Sequence, residues 1–249
     1  MNQMSLTRIG VVYRRELQSY FVTPLAYIFI AVFLLLSGFL TFELGSFFAR
    51  EQADLLSFFL FHPWLYLVLV PPLSMRLWAE ERRSGNLELL MTLPLSLYDS
   101  VLGKFLAAWT FTGIALLLSF PLWLTVNYLG DPDNGIIAAA YCGSWLMSGA
   151  FLAVGSCLSA ATKNQVIAYV LTVMLCLLFI LAGLPMLQDV LQAVLPEVLA
   201  QGIANLSLLT HFQSISRGVL DIRDLLFFIL FALCWLGATV VVLNLKKAE

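Results

Sequence analysis

Charged residues are scarce in this chain, and their scarcity excludes most soluble protein classes. Lys, Arg, Asp and Glu make up 11% of the 249 residues, whereas hydrophobic residues make up 61%. Soluble domains contain about 25% charged and about 45–50% apolar residues. The composition therefore predicts an integral membrane protein. The net charge of −2 gives no indication of nucleic-acid binding, and no nucleic-acid partner is expected.

Motifs that bind nucleotides or carry out hydrolysis are also missing. Gly103-Lys104 lacks the glycine five positions earlier and the following Ser or Thr that a P-loop requires. No HExxH or Gly-x-Ser-x-Gly motif is present. We therefore expect a non-catalytic chain that is not an enzyme and binds no cofactor of its own.

The cysteines and histidines form no pattern typical of a metal site or a disulfide framework. No Cys-x-x-Cys pair occurs, and each cysteine lies in an apolar stretch, so we interpret them as small hydrophobic residues. His62 and His211 are isolated near the ends of apolar stretches, which favours a position at the membrane interface over catalysis. No metal site is predicted. The cysteines are Cys142, Cys157, Cys176 and Cys234.

Six apolar stretches are long enough, or nearly so, to cross a membrane as helices, which need about 20 mainly apolar residues. None of the six contains Lys, Arg, Asp or Glu, and a charge at a helix centre costs about 2.5–3.5 kcal/mol. The sequence thus predicts an all-α integral membrane protein with a single domain over residues 1–249. The predicted transmembrane helices are 24–42, 58–75, 105–129, 136–160, 166–182 and 225–245.

The basic residues predict the orientation of these spans. With the N-terminus in the cytoplasm, ten Lys and Arg residues fall on the cytoplasmic side and three on the outer side, so both termini should be cytoplasmic. The outer three are Arg50, Arg217 and Arg223. The cytoplasmic ten are Arg8, Arg14, Arg15, Arg76, Arg82, Arg83, Lys104, Lys163, Lys246 and Lys247.

The N-terminal segment, residues 5–22, has the pattern of an amphipathic elbow helix. Ile9, Tyr13, Leu17 and Tyr20 share one face, and Arg8, Arg14, Arg15 and Gln18 lie opposite. This pattern is typical of a helix in the cytoplasmic interface of the membrane, although a plain basic flank is the alternative. Pro24 separates it from the first span.

The predicted outer region, residues 183–223, is amphipathic and too interrupted to span a membrane. Leu187, Val190, Leu191 and Val194 recur at helical spacing between Pro185 and Pro196. Short helices that re-enter the outer leaflet would satisfy the backbone hydrogen bonds internally. A loosely ordered outer loop is the alternative.

The longest cytoplasmic segment, residues 78–94, concentrates charge beside a short apolar helix. Gly85 can end one helix and Asn86 can begin the next, which Pro94 stops. The second helix is apolar on almost every side except for Glu88 and Thr92, so it must be covered by more than its own membrane domain. A docking surface for a soluble partner is therefore predicted, and an ordinary charged loop is the alternative. Ser96 with Asp99 then predicts a capping box before the third span.

Small residues at intervals of four predict close packing of the fourth and fifth spans. Such stripes are common in membrane helices and have low specificity. They are Gly149, Ala153 and Cys157 in the fourth span, and Ala168, Thr172 and Cys176 in the fifth.

Together these features resemble the permease subunit of an ABC-2 type transporter, a type V exporter-like architecture with an elbow helix, a coupling helix and outer re-entrant helices. The segment that carries the resemblance is Glu81-Arg82-Arg83-Ser84-Gly85-Asn86-Leu87-Glu88-Leu89-Leu90-Met91-Thr92-Leu93-Pro94. Two further motifs resemble the gliding-motility-associated (GldF-like) branch. These are Arg14-Arg15-Glu16-Leu17-x-x-Tyr20-Phe21-x-x-Pro24 and His211-Phe212-x-Ser214-Ile215-x-Arg217-Gly218.

The resemblance implies a bacterial inner-membrane permease that exports an unidentified substrate. ATP and Mg would be bound by a separate ABC ATPase subunit, and a second permease copy or a paralogue would complete the transporter. Membrane lipid and an outer accessory protein are further expected partners. The elbow interface would include Arg8, Arg14 and Arg15. The implied ATPase-coupling interface comprises Glu80, Glu81, Arg82, Arg83, Gly85, Asn86, Leu87, Glu88, Leu90, Met91 and Pro94.

Two other functions remain open at this point. An ATPase-driven mechanical or assembly subunit, as in gliding machinery, would have the same coupling segment and move no solute. A secondary carrier would need an ionisable coupling site, which the predicted spans lack.

Overall fold

The computed structural model describes residues 3–50, 52–85, 96–194, 196–219 and 221–246, and these are almost entirely helical. No β-strand occurs in that part of the chain, so the all-α prediction is confirmed. In chain order the helices are α1 (Gln3–Val22), α2 (Pro24–Phe39) with a π-helical turn (Leu40–Leu44), α3 (Leu56–Leu60), α4 (His62–Ser74), α5 (Ala79–Ser84), α6 (Leu97–Leu117), α7 (Phe120–Leu129), α8 (Asn134–Ala161), α9 (Gln165–Leu181), α10 (Pro185–Val194), α11 (Glu197–Asn205), α12 (Leu208–Ser216) and α13 (Ile222–Lys246).

Helix α8 is the centre of the molecule, because α4, α6, α9, α12 and α13 all pack against it. Its start is fixed by Asp133, whose side chain accepts hydrogen bonds from the backbone N–H groups of Gly135 (2.8 Å) and Ile136 (3.2 Å). Most of its side chains are small and buried, which lets several helices approach its axis at once.

Four helical stretches are long and apolar enough to cross a membrane, and a bent pair of helices is a fifth candidate. The four are Ala26–Leu44, Leu97–Leu129, Asn134–Ala161 and Ile222–Lys246. The bent pair joins Gln165–Leu181 to Pro185–Val194 at an angle of 79°. These stretches give a multi-pass membrane protein, while the prediction of six spans exceeds the four or five that length and hydropathy support.

The predicted second span, residues 58–75, is not one long helix. It is divided between α3 and α4, and α4 has 13 residues. At 1.5 Å per residue such a helix is about 20 Å long, shorter than a hydrocarbon core of about 30 Å. The cause is visible in the sequence, since Pro63, Pro71 and Pro72 lie in α4 and proline removes backbone donors.

The predicted third span also differs from the structure in its bounds. The hydropathy pattern predicts residues 105–129, but α6 begins eight residues earlier, after Ser96. The Ser96 side chain accepts a hydrogen bond from Asp99 N at 3.1 Å. The predicted N-cap at Ser96 is therefore observed. A break at Leu118 and Ser119 then separates α6 from α7, in which Pro121 occupies the first turn.

The region predicted to re-enter the outer leaflet contains α10, α11 and α12, and these differ in burial. In α12, Leu208, Phe212 and Ile215 are almost fully buried and the helix packs on α8. In α10 no residue is buried, and Val190 and Val194 remain exposed. The apolar face of α10 is therefore largely exposed in the described part of this chain.

Candidate functional site

The predicted coupling segment is described only as far as Gly85, at the end of the bundle where α1, α5 and the first turns of α6 meet. Glu80, Glu81, Arg82 and Arg83 form α5, and Gly85 ends it in the left-handed conformation (φ 74°), the role predicted from the sequence. The remaining predicted residues lie outside the described part of the chain. They are Asn86, Leu87, Glu88, Leu90, Met91 and Pro94.

A buried lysine joins α5 to two other helices at this end. Lys104 of α6 is 4% exposed, and its Nζ lies 2.8 Å from Glu81 Oε1 in α5 and 3.2 Å from Glu16 Oε1 in α1. The same ammonium lies 5.4 Å from the centre of the Trp78 ring, within the range of a cation–π contact. We call Glu16, Glu81 and Lys104 the junction triad.

The turn before α5 is anchored to the end of α8 by two serines. Ser159 Oγ accepts hydrogen bonds from the backbone N–H groups of Trp78 (3.1 Å) and Ala79 (3.0 Å), and donates one to Met75 O at 2.7 Å. Ser156 Oγ accepts a hydrogen bond from Trp78 Nε1 at 3.0 Å. Trp78 is fully buried, so the backbone N–H and C=O groups of this turn need hydrogen-bond partners within the protein. Because the turn is not part of a regular helix, Ser159 supplies those partners.

Arg82 adds a further link between α5 and α8. Its guanidinium donates a hydrogen bond to the carbonyl of Ala160 at 2.7 Å, next to the last residue of α8. This carbonyl is one of the last four of the helix, which have no partner within it. By contrast, Glu80 and Arg83 are exposed. The helix α5 is thus fixed on one face by α8 and the triad, while its other face is available to solvent or a partner.

A cavity of about 190 Å³, lined by both polar and apolar side chains, separates α1 from the end of α4 beside the triad. Arg76 and Glu80 line it from one side, and Ser19, Tyr20 and Thr23 line it from α1. Burial raises the pKa of the Tyr20 phenol, with Glu16 acting in the same direction and Arg76 opposing it, so this hydroxyl stays neutral.

A family model described as "ABC-2 family transporter protein" matches residues 68–243, which is well over half of the chain. The chain belongs to this ABC-2 family. It is therefore a membrane permease component of an ABC transporter, a family that implies association with an ABC ATPase subunit. None of the curated proteins searched matches the chain. The matched residues include α5, Lys104 and the two anchoring serines, whereas Glu16 precedes them.

The basic residues of the predicted elbow lie on the exposed side of α1 in this ABC-2 permease. Arg8, Arg14 and Arg15 are exposed, while Ile9 is buried. The helix packs along α6, and a Cβ at Gly103 would come within 2.7 Å of Val12 Cβ. Gly103 thus permits the close approach of α1 and α6.

The six small residues predicted to mediate close packing are all buried in the permease. Gly149 faces an indole, since a Cβ there would lie 2.8 Å from Trp109 Nε1. Trp109 in turn stacks on Trp145 with ring centres 4.2 Å apart. Thr172 of α9 faces Gly155 of α8, and a Cβ at Gly155 would also meet Ser74 of α4. Gly155, which is not among the six predicted residues, therefore lies where α4 and α9 both approach α8 closely.

The two histidines have partners that the sequence pattern does not predict. His62 is fully buried, with Nδ1 2.8 Å from Ser144 Oγ and the Phe58 ring centre 4.4 Å away. His211 is not isolated in space, because its Nδ1 lies 2.6 Å from Asp224 Oδ1 of α13. The position of both histidines at the membrane interface stays a prediction.

The junction triad is not predicted by the sequence, in which Lys104 appears only as a cytoplasmic basic residue and as part of an incomplete P-loop pattern. Glu16 and Glu81 lie 88 and 23 positions from it, and no local spacing connects them. One signal in the sequence points to such a site: Lys104 immediately precedes a predicted apolar span. If that end of the helix packs against other helices, the buried ammonium needs carboxylates or water as partners.

Proposed function

We propose that this chain is the permease subunit of an ATP-driven exporter in a bacterial inner membrane. A separate ATPase subunit binds ATP and Mg and seats the segment after Gly85 in a groove on its surface. A second copy of the permease, or a paralogue, completes the transporter. Both chain termini lie in the cytoplasm, and the chain crosses the membrane six times, with the α3–α4 stretch and α9 as the two shorter crossings.

The observation that carries this proposal is the attachment of α5 to the rest of the permease. Its residues Glu81 and Arg82 are tied to α6 and α8, and its preceding turn is tied to Ser159. A force applied to the segment that follows α5 would therefore reach α1, α6 and α8 together.

The charges at this end support its cytoplasmic orientation. Arg76, Arg82 and Lys104 lie around the junction, whereas Arg217 and Arg223 lie near His211 and the start of α13, at the other end of the bundle. Because positive residues favour the cytoplasmic side, the junction end is the one that an ATPase would meet.

A mechanical or assembly role is the second candidate, in line with the resemblance to the gliding-motility-associated branch. The same coupling would then move the membrane subunit without passing a solute. An outer accessory protein suits either role, because the apolar face of α10 is largely exposed.

The proposal is tested by co-purifying the permease with its ATPase from mild detergent. We expect Glu88→Arg and Leu90→Asp to reduce ATPase recovery or permease-dependent ATP hydrolysis, because both alter the segment after α5. Leu206→Asp is the matched control, since Leu206 is exposed in the region predicted to face outward. Equal recovery and equal coupled hydrolysis in wild type and in both variants would refute the proposal.

A further inference from the structure

The junction triad joins two helices that otherwise hardly touch. In the described part of the chain α1 packs extensively on α6 and also on α2, but has no comparable packing with α4 or α5. The cavity of about 190 Å³ lies between α1 and the α4 side of the junction. The connection from α1 to α5 therefore runs through Lys104, which pairs with Glu16 on one side and Glu81 on the other.

We propose that Lys104 is a positioning residue that makes α1 and α5 move as one unit with α6 when the ATPase pulls on the coupling segment. This inference rests on the proposed function. Through Lys104, motion of the segment after Gly85 would reach α1, to which α5 has no other comparable contact in the described part of the chain.

The energetics of the triad favour positioning over stability. Replacing a buried ion pair with apolar residues of similar volume is often neutral or stabilising, so a permease selected for stability alone has no need of it. Removing one partner is costly, because it leaves a buried charge without compensation. Lys104 carries one positive charge between two carboxylates and can donate to both at once, which gives α1 and α5 a defined register.

The geometry also explains why a lysine suits this position. Its ammonium has three donors, so it can bond a carboxylate on each of two helices at once. The Trp78 ring lies 5.4 Å from Nζ and is itself held by Ser156, which limits the motion of the lysine side chain. Glu16 and Glu81 therefore stay at a fixed separation, and α1 and α5 keep their distance while the segment after Gly85 moves.

The inference is tested by measuring the distance between spin labels on α1 and α5 in the complete complex with its ATPase. Labels at Gln18→Cys and Ser84→Cys occupy exposed positions, in a background without the four native cysteines. Spectra are recorded without nucleotide and with the ATPase trapped by ATP and vanadate. In the parent complex we expect a narrow distribution whose mean is the same in both states.

Three variants make this test specific. Lys104→Met should broaden the distribution and make its mean differ between the two states, and should lower permease-dependent ATP hydrolysis at least about fivefold, the lower end of typical coupling energies. Glu16→Gln, which keeps the side-chain shape, should act in the same direction. Lys163→Met, an exposed lysine on the loop after α8, should behave as the parent.

The outcomes separate this inference from the proposed function. If Lys104→Met and Glu16→Gln fold, retain the ATPase and keep the parent's distances and hydrolysis, the positioning role is wrong while the proposed function stands. If the parent chain recruits no ATPase, the proposed function fails first. Recovery of the narrow distribution in Lys104→Arg, which retains the charge, would support the positioning role over a purely steric one.

Discussion

Gly155 offers the sharpest test of the packing that holds α4 in place before the coupling segment. It lies in α8 where α4 and α9 both approach. A Cβ at this position would overlap Ser74 Oγ and Cβ, and would lie 3.1 Å from Thr172 Cγ2. Ser74 cannot turn away freely, because its hydroxyl donates to Pro71 O at 3.1 Å. The substitution Gly155→Ala should therefore force α4 and α8 apart.

The expected change in the free energy of unfolding for Gly155→Ala has three contributions. Overpacking a tight interior costs about 1–3 kcal/mol, and losing the Ser74 hydrogen bond costs about 0.5–1.5 kcal/mol. The higher helix propensity of alanine returns up to about 1 kcal/mol. The net loss of unfolding free energy is about 0.5–4.5 kcal/mol, and at about 2–4 °C per kcal/mol for a chain of this size the midpoint of thermal unfolding should fall by about 1–18 °C.

In the assay the protein is heated in detergent at a series of temperatures. The fraction that remains monodisperse is then measured by size-exclusion chromatography. Gly237→Ala is the matched control, because Gly237 also lies inside a long apolar helix and a Cβ there meets nothing within 4 Å. We expect the control to keep or slightly raise the midpoint. If Gly155→Ala is as stable as Gly237→Ala, the close approach of α4 and α8 is wrong.

Two other substitutions test contacts at opposite ends of the molecule by the same assay. Ser159→Ala should cost about 2–4 kcal/mol, because it leaves the buried N–H of Trp78 and two other backbone groups without their partner. No loss of midpoint would contradict the anchoring of that turn. Asp224→Asn should cost about 1–3 kcal/mol by weakening the charge-assisted contact with His211 (2.6 Å), whereas Asp131→Asn on an exposed turn should change little. Equal midpoints for these two variants would mean that the pair does not hold α12 to α13.

Local signals predicted much of the helical framework. The cap at Ser96, the turn at Gly85 and the start of α2 at Pro24 each depend on a few adjacent residues, and each is observed. The hydrophobic runs likewise predicted α8 and α13 with small errors in their bounds, since apolar composition alone identifies helices that a membrane can surround.

Features that depend on distant neighbours were not predictable in the same way. The shortness of α4 could have been anticipated from Pro71 and Pro72, which hydropathy ignores. The burial of His62 against Ser144 and the pairing of Lys104 with Glu16 depend on helix packing that no local spacing encodes. For the same reason the sequence predicts a docking segment but not the junction of α1, α5 and α6 that precedes it.

If an ATPase docks on the segment that follows α5, as proposed, it must also come close to α5 itself. We expect photo-crosslinking in membranes, with a photoreactive phenylalanine derivative at Arg83, which is exposed on α5, to give a covalent adduct with the ATPase. The same probe at Tyr128, which is 91% exposed in α7 near the opposite end of the bundle, should give none. An ATPase adduct at Tyr128 and none at Arg83 would show that the ATPase binds the other end and would refute the proposed docking.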